Sequence, residues 1–158
     1  MGMRSTGNGH IVRRRGFTVI ELIMVVSIMG ILVGVAGPAI SRIVRHNRVN
    51  RAAMVITADL QNAFASAARQ REPVRITADA ATKSYQFVDR TTGEVLRIRS
   101  FYGDTSEYRL STLNFTPATI DVFPSGVSST PIVVDLANGD YSRRITASTA
   151  GFIRMVPK

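Results

Sequence analysis

The chain has 158 residues, with 20 lysines and arginines against 11 aspartates and glutamates, for a formal charge of +9. That length allows one soluble domain of roughly 110 residues beyond any membrane segment, and argues against a second. Cysteine is absent, which excludes disulfide staples, thiolate metal ligands and a thiol nucleophile.

Residues 1–12 contain Gly, Ser and Asn without periodic pattern and read as a disposable leader. The run Arg13-Arg14-Arg15-Gly16-Phe17-Thr18-Val19-Ile20-Glu21 follows, and from Leu22 to Ser41 there are 20 consecutive residues without a charge. As a helix rising ~1.5 Å per residue, that stretch is roughly 30 Å long, the thickness of a bilayer's hydrocarbon core.

Glu21 is out of place at the start of such a segment, since a lone charge there costs about 3 kcal/mol unless something pairs with it. On its C-terminal side no cation precedes Arg42, so the partner is Arg15, a lipid headgroup or a positive group on another molecule. A cut between Gly16 and Phe17 would create such a group, the new α-amino terminus of Phe17. An ordinary secretory signal is an alternative, but its apolar core is shorter and free of acids. Its small-x-small cleavage site would have to be Gly37-Pro38-Ala39, with a proline inside it. A plain single-pass anchor also remains open.

Basic residues and a glycine, then Phe-Thr-x-x-Glu, then an apolar helix containing Gly30 and Pro38, resemble the class III signal segment of type IV prepilins and type II secretion pseudopilins. The resemblance implies cleavage after Gly16 by a prepilin peptidase on the cytoplasmic side and N-methylation of Phe17. It also implies that Glu21 neutralises the amino terminus of an adjacent subunit during filament assembly. Loss of residues 1–16, with four arginines, would lower the formal charge to +5.

Within the apolar stretch, Gly30 and Gly34 form a small-xxx-small pair that lets another helix approach. Gly37-Pro38 removes a backbone bond and obstructs the preceding turn, at ~3 kcal/mol in an ordinary helix interior, so a kink or melted stretch is expected between Gly30 and Pro38. Four arginines precede the span, while Arg42, Arg45, Arg48 and Arg51 follow it, so charge alone does not orient it. The resemblance does, with the leader in the cytoplasm and the head outside. The four following arginines read either as the polar boundary of the span or as ligands of anionic headgroups or of a neighbouring subunit's acids.

From Ser41 the helix is expected to continue, because Val49, Ala52, Ala53, Ile56, Leu60, Ala63, Phe64 and Ala67 recur at three-and-four spacing. Arg71-Glu72-Pro73 stops it. Short β-like runs follow at 74–77, 84–88, 95–101, 108–113, 119–123, 132–136, 141–148 and 152–156, with Thr91-Thr92-Gly93 and Asn138-Gly139 as turns. The fold class is α+β: a long helix, membrane-spanning in its first half and amphipathic in its second, packed against an antiparallel β-sheet head. The organisation is leader 1–16, membrane and filament-core helix 17–44, and head 45–158.

Asp59-Leu60 to Ala68-Arg69, Phe123-Pro124-Ser125-Gly126, the strand 132–136, and Arg144-Ile145-Thr146 with Ser148 before Gly151 resemble the head of the GspH/FimT family of minor pseudopilins and minor pilins. Some FimT-like members bind DNA through a Gly-Arg-x-Arg-type carboxy-terminal motif. Arg143, Arg144 and Arg154 cluster near the carboxy terminus and are the DNA-binding candidates, but Gly151-Phe152-Ile153-Arg154 departs from that motif, keeping the last arginine with Phe152 at the first. Solvated arginines on a sheet face are the plainer reading.

The two histidines, His10 and His46, are far apart, and no Ser-His-Asp set, carboxylate pair or phosphate-cradling loop is visible, so neither catalysis nor a cofactor or metal is expected. The expected function is that of a minor pseudopilin in a type II secretion pseudopilus that helps export folded proteins. The alternatives are a FimT-like minor type IV pilin acting in pilus assembly or DNA uptake, and a signal-anchored binding protein that never polymerises. The implied partners are other pilin-like subunits, the prepilin peptidase, an inner-membrane assembly platform and membrane lipid. The implied location is the bacterial inner membrane with a periplasmic head, then a periplasmic pseudopilus or surface pilus.

Overall fold

A computed structural model describes residues 16–103 and 106–158, so the expected leader lies outside the described residues except for Gly16. Helix α1 spans Val19–Gln70. By internal contacts the chain divides into one unit ending at Ala39 and another of Ile40–Lys158.

In the first unit the large apolar side chains exposed between Phe17 and Val33 show 45 to 83% of their surface. Water does not tolerate so large a continuous apolar surface, so this stretch requires lipid or another helix around it. Of the kink or melted stretch expected between Gly30 and Pro38, the melted form is not seen: the helical backbone is continuous through Gly37 and Pro38. A single missing N–H removes one bond from a 52-residue ladder, and the bonds on either side keep the assignment helical.

The second unit is built on the other half of α1. Val49, Ala52, Ala53, Ile56, Leu60, Ala63, Phe64 and Ala67 are all buried, as their spacing requires. The alanines let strands approach the helix axis, while Ile56 and Leu60 each contribute about 1.5–3 kcal/mol by leaving water. The helix ends at Gln70, where Arg71 takes the left-handed conformation (φ 58°) and Pro73 bars continuation.

Eight strands follow among the described residues: β1 Val74–Asp79, β2 Ser84–Asp89, β3 Val95–Ser100, β4 Thr112–Thr116, β5 Thr119–Val122, β6 Ile132–Asn138, β7 Tyr141–Ala147 and β8 Ile153–Pro157. They form the expected antiparallel head, divided into two sheets in the orders β3-β2-β1-β5 and β4-β6-β7-β8. Neighbouring strands twist by roughly 20–25°, which would carry the outer strands of one eight-stranded sheet away from a straight helix. Two narrower sheets stay over it. Their inward residues, including Ile76, Tyr85, Phe87, Phe115, Ile120, Val134 and Ile145, share one core with α1.

The run 108–113 is not a strand; β4 begins at Thr112. Tyr108 and Leu110 share one parity and Leu113 and Phe115 the other, so the alternation slips at Ser111 and only the second half pairs with β6. The Asn138-Gly139 hairpin forms as expected, with Gly139 at φ 63°.

Gly151 closes the turn between β7 and β8 at φ 77°, and a Cβ there would lie 3.0 Å from Cδ1 of Phe64 on α1. Gly151→Ala therefore combines a left-handed backbone penalty of about 1–2 kcal/mol with displacement of a core ring. A lowered thermal midpoint of the Gly151→Ala protein is the expected result. Gly126→Ala, at a similar φ of 76° but with open space around it, should lose less.

Candidate functional site

Gly16, Phe17 and Thr18 precede the helix, and Phe17 is 83% exposed. Oγ1 of Thr18 accepts the backbone N–H of Glu21 at 3.3 Å, which makes Thr18 the N-cap and places Glu21 at the third helical position, in the Thr-x-x-Glu order of a capping signal. An acid in the first turn also suits the positive end of the helix dipole. Helix initiation and the exposed acid thus share one short motif, a capping signal the sequence reading passed over.

Gly30, Gly34 and Gly37 have open space where a Cβ would stand: nothing lies within 4 Å of any of them. Each costs the helix about 1 kcal/mol relative to alanine, and no contact among the described residues explains them. Their smallness is available to a second helix. Pro38 lies in the same stretch, within the helical backbone.

A buried ionic centre that the sequence reading did not identify lies inside the head. Asp59 on α1 is 2% exposed and accepts from the Tyr85 hydroxyl of β2 at 2.7 Å, from Arg97 Nη1 of β3 at 3.1 Å and from both Nε and Nη2 of Arg99. Burial pushes the carboxyl pKa up. The hydrogen bonds from Arg99 and Tyr85 and the charges of both arginines outweigh that, leaving it below the ordinary value. Burial, with the carboxylate as hydrogen-bond partner, holds the Tyr85 hydroxyl protonated. This centre locks β3, an edge strand whose own residues are mostly exposed, to the helix. The arrangement is structural, with every polar atom of the carboxylate occupied.

Arg143, Arg144 and Arg154 do not form one row. Consecutive residues of a strand face opposite sides, and Arg143 turns toward α1, where its Nε donates to Oδ1 of Asn50 at 3.0 Å beside Tyr141. Arg144 is on the other face in a bidentate pair with Asp135, at 2.7 and 2.9 Å, and Lys158 joins the same carboxylate at 2.9 Å. The Arg144 hydrogen bond, with Lys158 adding to it against a smaller desolvation effect, lowers the Asp135 pKa to about 2. Arg154 lies 5.0 Å over the ring of Phe152, which is 61% exposed. Phe152 and Arg154 are thus left at the surface, while Arg143 and Arg144 have partners within the head.

The profile of a family described as type II transport protein GspH matches residues 52–151, and that of a prokaryotic N-terminal methylation motif matches residues 11–37. No curated protein gives a significant match. Among solved structures, the type IV minor pilin FimU of Pseudomonas aeruginosa is similar at 24% identity and TM-score 0.56, over 70% of this chain and 90% of that one. The minor pseudopilin EpsH from the type 2 secretion system of Vibrio cholerae is similar at 18% identity and TM-score 0.53, over 70% of this chain and 97% of that one. Both share the arrangement of a long amino-terminal helix against antiparallel sheets.

Proposed function

Because the chain belongs to the family of type II transport protein GspH, a family of pilin-like structural subunits, we propose that it is a minor pseudopilin of a type II secretion pseudopilus. The protein is anchored by its apolar amino-terminal helix, carries a soluble head, and assembles with other pilin-like subunits. The finer steps are those that the resemblance of the amino-terminal segment to class III prepilin signals implies. A prepilin peptidase on the cytoplasmic side of the bacterial inner membrane cuts after Gly16, and Phe17 becomes the N-methylated first residue. The head, residues 45–158, stands in the periplasm and the helix, residues 17–44, waits in the bilayer. An inner-membrane assembly platform then passes the subunit into the filament, where Glu21 meets the amino terminus of a neighbour and the Gly30 to Pro38 stretch loosens as helices pack.

The observation that carries this reading is the helix surface from Val19 onward: apolar, exposed, interrupted by one acid at its start and carrying Gly30, Gly34 and Gly37, which no contact among the described residues explains. A permanent anchor needs the apolar length but neither the acid nor the glycines. A polymerising helix uses all three.

The mature chain from a host with the secretion machinery should begin at Phe17 and carry one methyl group on its amine, as read by mass spectrometry of the intact protein and its amino-terminal peptide. A mature terminus near Ala39, or an intact leader, would overturn the assignment in favour of ordinary secretion or a plain anchor.

A further inference from the structure

Just beyond the uncharged run, α1 carries Arg42, Arg45, Arg48 and Arg51. Two of these guanidinium groups border an open cleft of about 410 Å³ in the head, whose walls include Ile40, Val44, Arg45, Arg48, Arg109 and Asn138. A second cleft of about 280 Å³ shares Val44 and Arg48 and continues toward Arg51. Arg48 therefore borders both hollows.

The charges here are unevenly matched. Arg51 pairs with Glu107 at 3.2 Å. Arg45 has only a 3.5 Å approach of its Nε to Asp140, and that Nε is buried without a hydrogen bond. Arg48 has no hydrogen-bond or ion-pair partner among the described residues. Asn138 spends its amide nitrogen on the carbonyls of Tyr108 and Arg109 and serves as a wall. A buried guanidinium N–H without an acceptor, beside an unmatched second guanidinium, is a site short of one anion.

Polarity along the cleft is graded. Ile40 and Val44, exposed by 60 and 40%, lie at the end nearest the uncharged run, and the guanidinium groups follow within two turns. At ~1.5 Å per residue, Arg45 and Arg48 are roughly 6–10 Å past Ser41, the depth of a headgroup layer outside a hydrocarbon core that ends there. We propose that this cleft binds an anionic glycerophospholipid of the outer leaflet, its phosphate held by Arg45 and Arg48 and its upper acyl chain lying on Ile40 and Val44. The proposal rests on the reading of residues 22–41 as a membrane span. It does not depend on polymerisation. Its consequence is a subunit held at a fixed height before it joins a filament.

The test uses the full chain in nanodiscs of phosphatidylcholine with a minor fraction of phosphatidylglycerol, and counts lipids retained on the protein by native mass spectrometry. Wild type is expected to retain phosphatidylglycerol in preference to phosphatidylcholine. Arg48→Gln, which removes no contact within the head, should lower that preference about five-fold, and Arg45→Gln with Arg48→Gln roughly thirty-fold. Arg69→Gln with Arg71→Gln removes the same charge at the far end of the helix and should leave it unchanged. An unchanged preference in the Arg45/Arg48 variant, or an equal fall in the Arg69/Arg71 variant, overturns the proposal. So does displacement of the lipid by an equal concentration of inorganic phosphate, which would mark a free-phosphate site. A chain that inserts but shows no lipid preference overturns this proposal alone. A chain that does not enter the bilayer overturns the membrane reading with it.

Discussion

Asp59→Ala should destabilise the head by about 3 kcal/mol, a fall of roughly 10 °C in its thermal midpoint. Removing one partner of a buried ion pair costs about 3–5 kcal/mol because the other charge is left without compensation. Here the lower end applies, since Arg97 and Arg99 are 43 and 33% exposed and can regain water. The Tyr85 hydroxyl cannot: its residue is 2% exposed and would keep a buried donor without an acceptor. Asp59→Asn retains an acceptor for Tyr85 and should cost less. The two variants together separate the hydroxyl's contribution from that of the charge.

The same carboxylate gives a pH dependence with a definite sign. Its folded pKa is below the unfolded value of about 3.9, so its contribution is complete above that value and disappears as pH falls through the folded pKa. Asp121 and Asp135, each held down first by an arginine hydrogen bond, titrate in the same direction. Denaturant midpoints measured from neutral pH to below about 4 should therefore fall for the wild type and fall less for Asp59→Asn. A slope identical in both proteins would show that folding leaves the Asp59 pKa where it stands in the unfolded chain, and the arginines would then not hold it down.

Residues that meet at short range along the chain were the legible part. Three-and-four spacing from Val49 to Ala67 gave the buried face of α1 residue for residue, because a helix converts that period directly into a stripe. Asn138-Gly139 gave its hairpin because few residues tolerate a positive φ. The division into two sheets was not visible, since strand twist acts across the whole layer and leaves no mark on any one strand. Asp59 was half visible: it lies three residues after Ile56 and four before Ala63, on the buried face by spacing alone. Its partners Arg97 and Arg99 are 38 and 40 positions away, and only the β2-β3 pairing brings them over the helix. Arg143 and Arg144 are parted for a reason available beforehand, that adjacent strand residues face opposite ways.

Glu21→Gln is expected to reduce incorporation into filaments at least ten-fold while leaving membrane insertion and cleavage after Gly16 intact. The substitution isolates charge from everything else the residue does. The Thr18 hydroxyl accepts from the backbone N–H of residue 21, which glutamine also supplies, and a capping box accepts Gln as readily as Glu, so the helix start survives. Length and volume are also kept. What is lost is the carboxylate that, in an apolar surrounding, would quench the α-amino group of a neighbouring Phe17. An unpaired ammonium in that setting costs about 3 kcal/mol, more than the 1.4 kcal/mol that a ten-fold change requires. Thr18→Val makes the complementary control: it weakens the cap by about 1 kcal/mol and keeps the acid, so assembly should persist. The fraction of subunit in sheared filaments, with the methylated Phe17 terminus quantified in the same sample, reads both effects. Normal incorporation of Glu21→Gln would mean that the acid has another task, and that the filament closes without its charge.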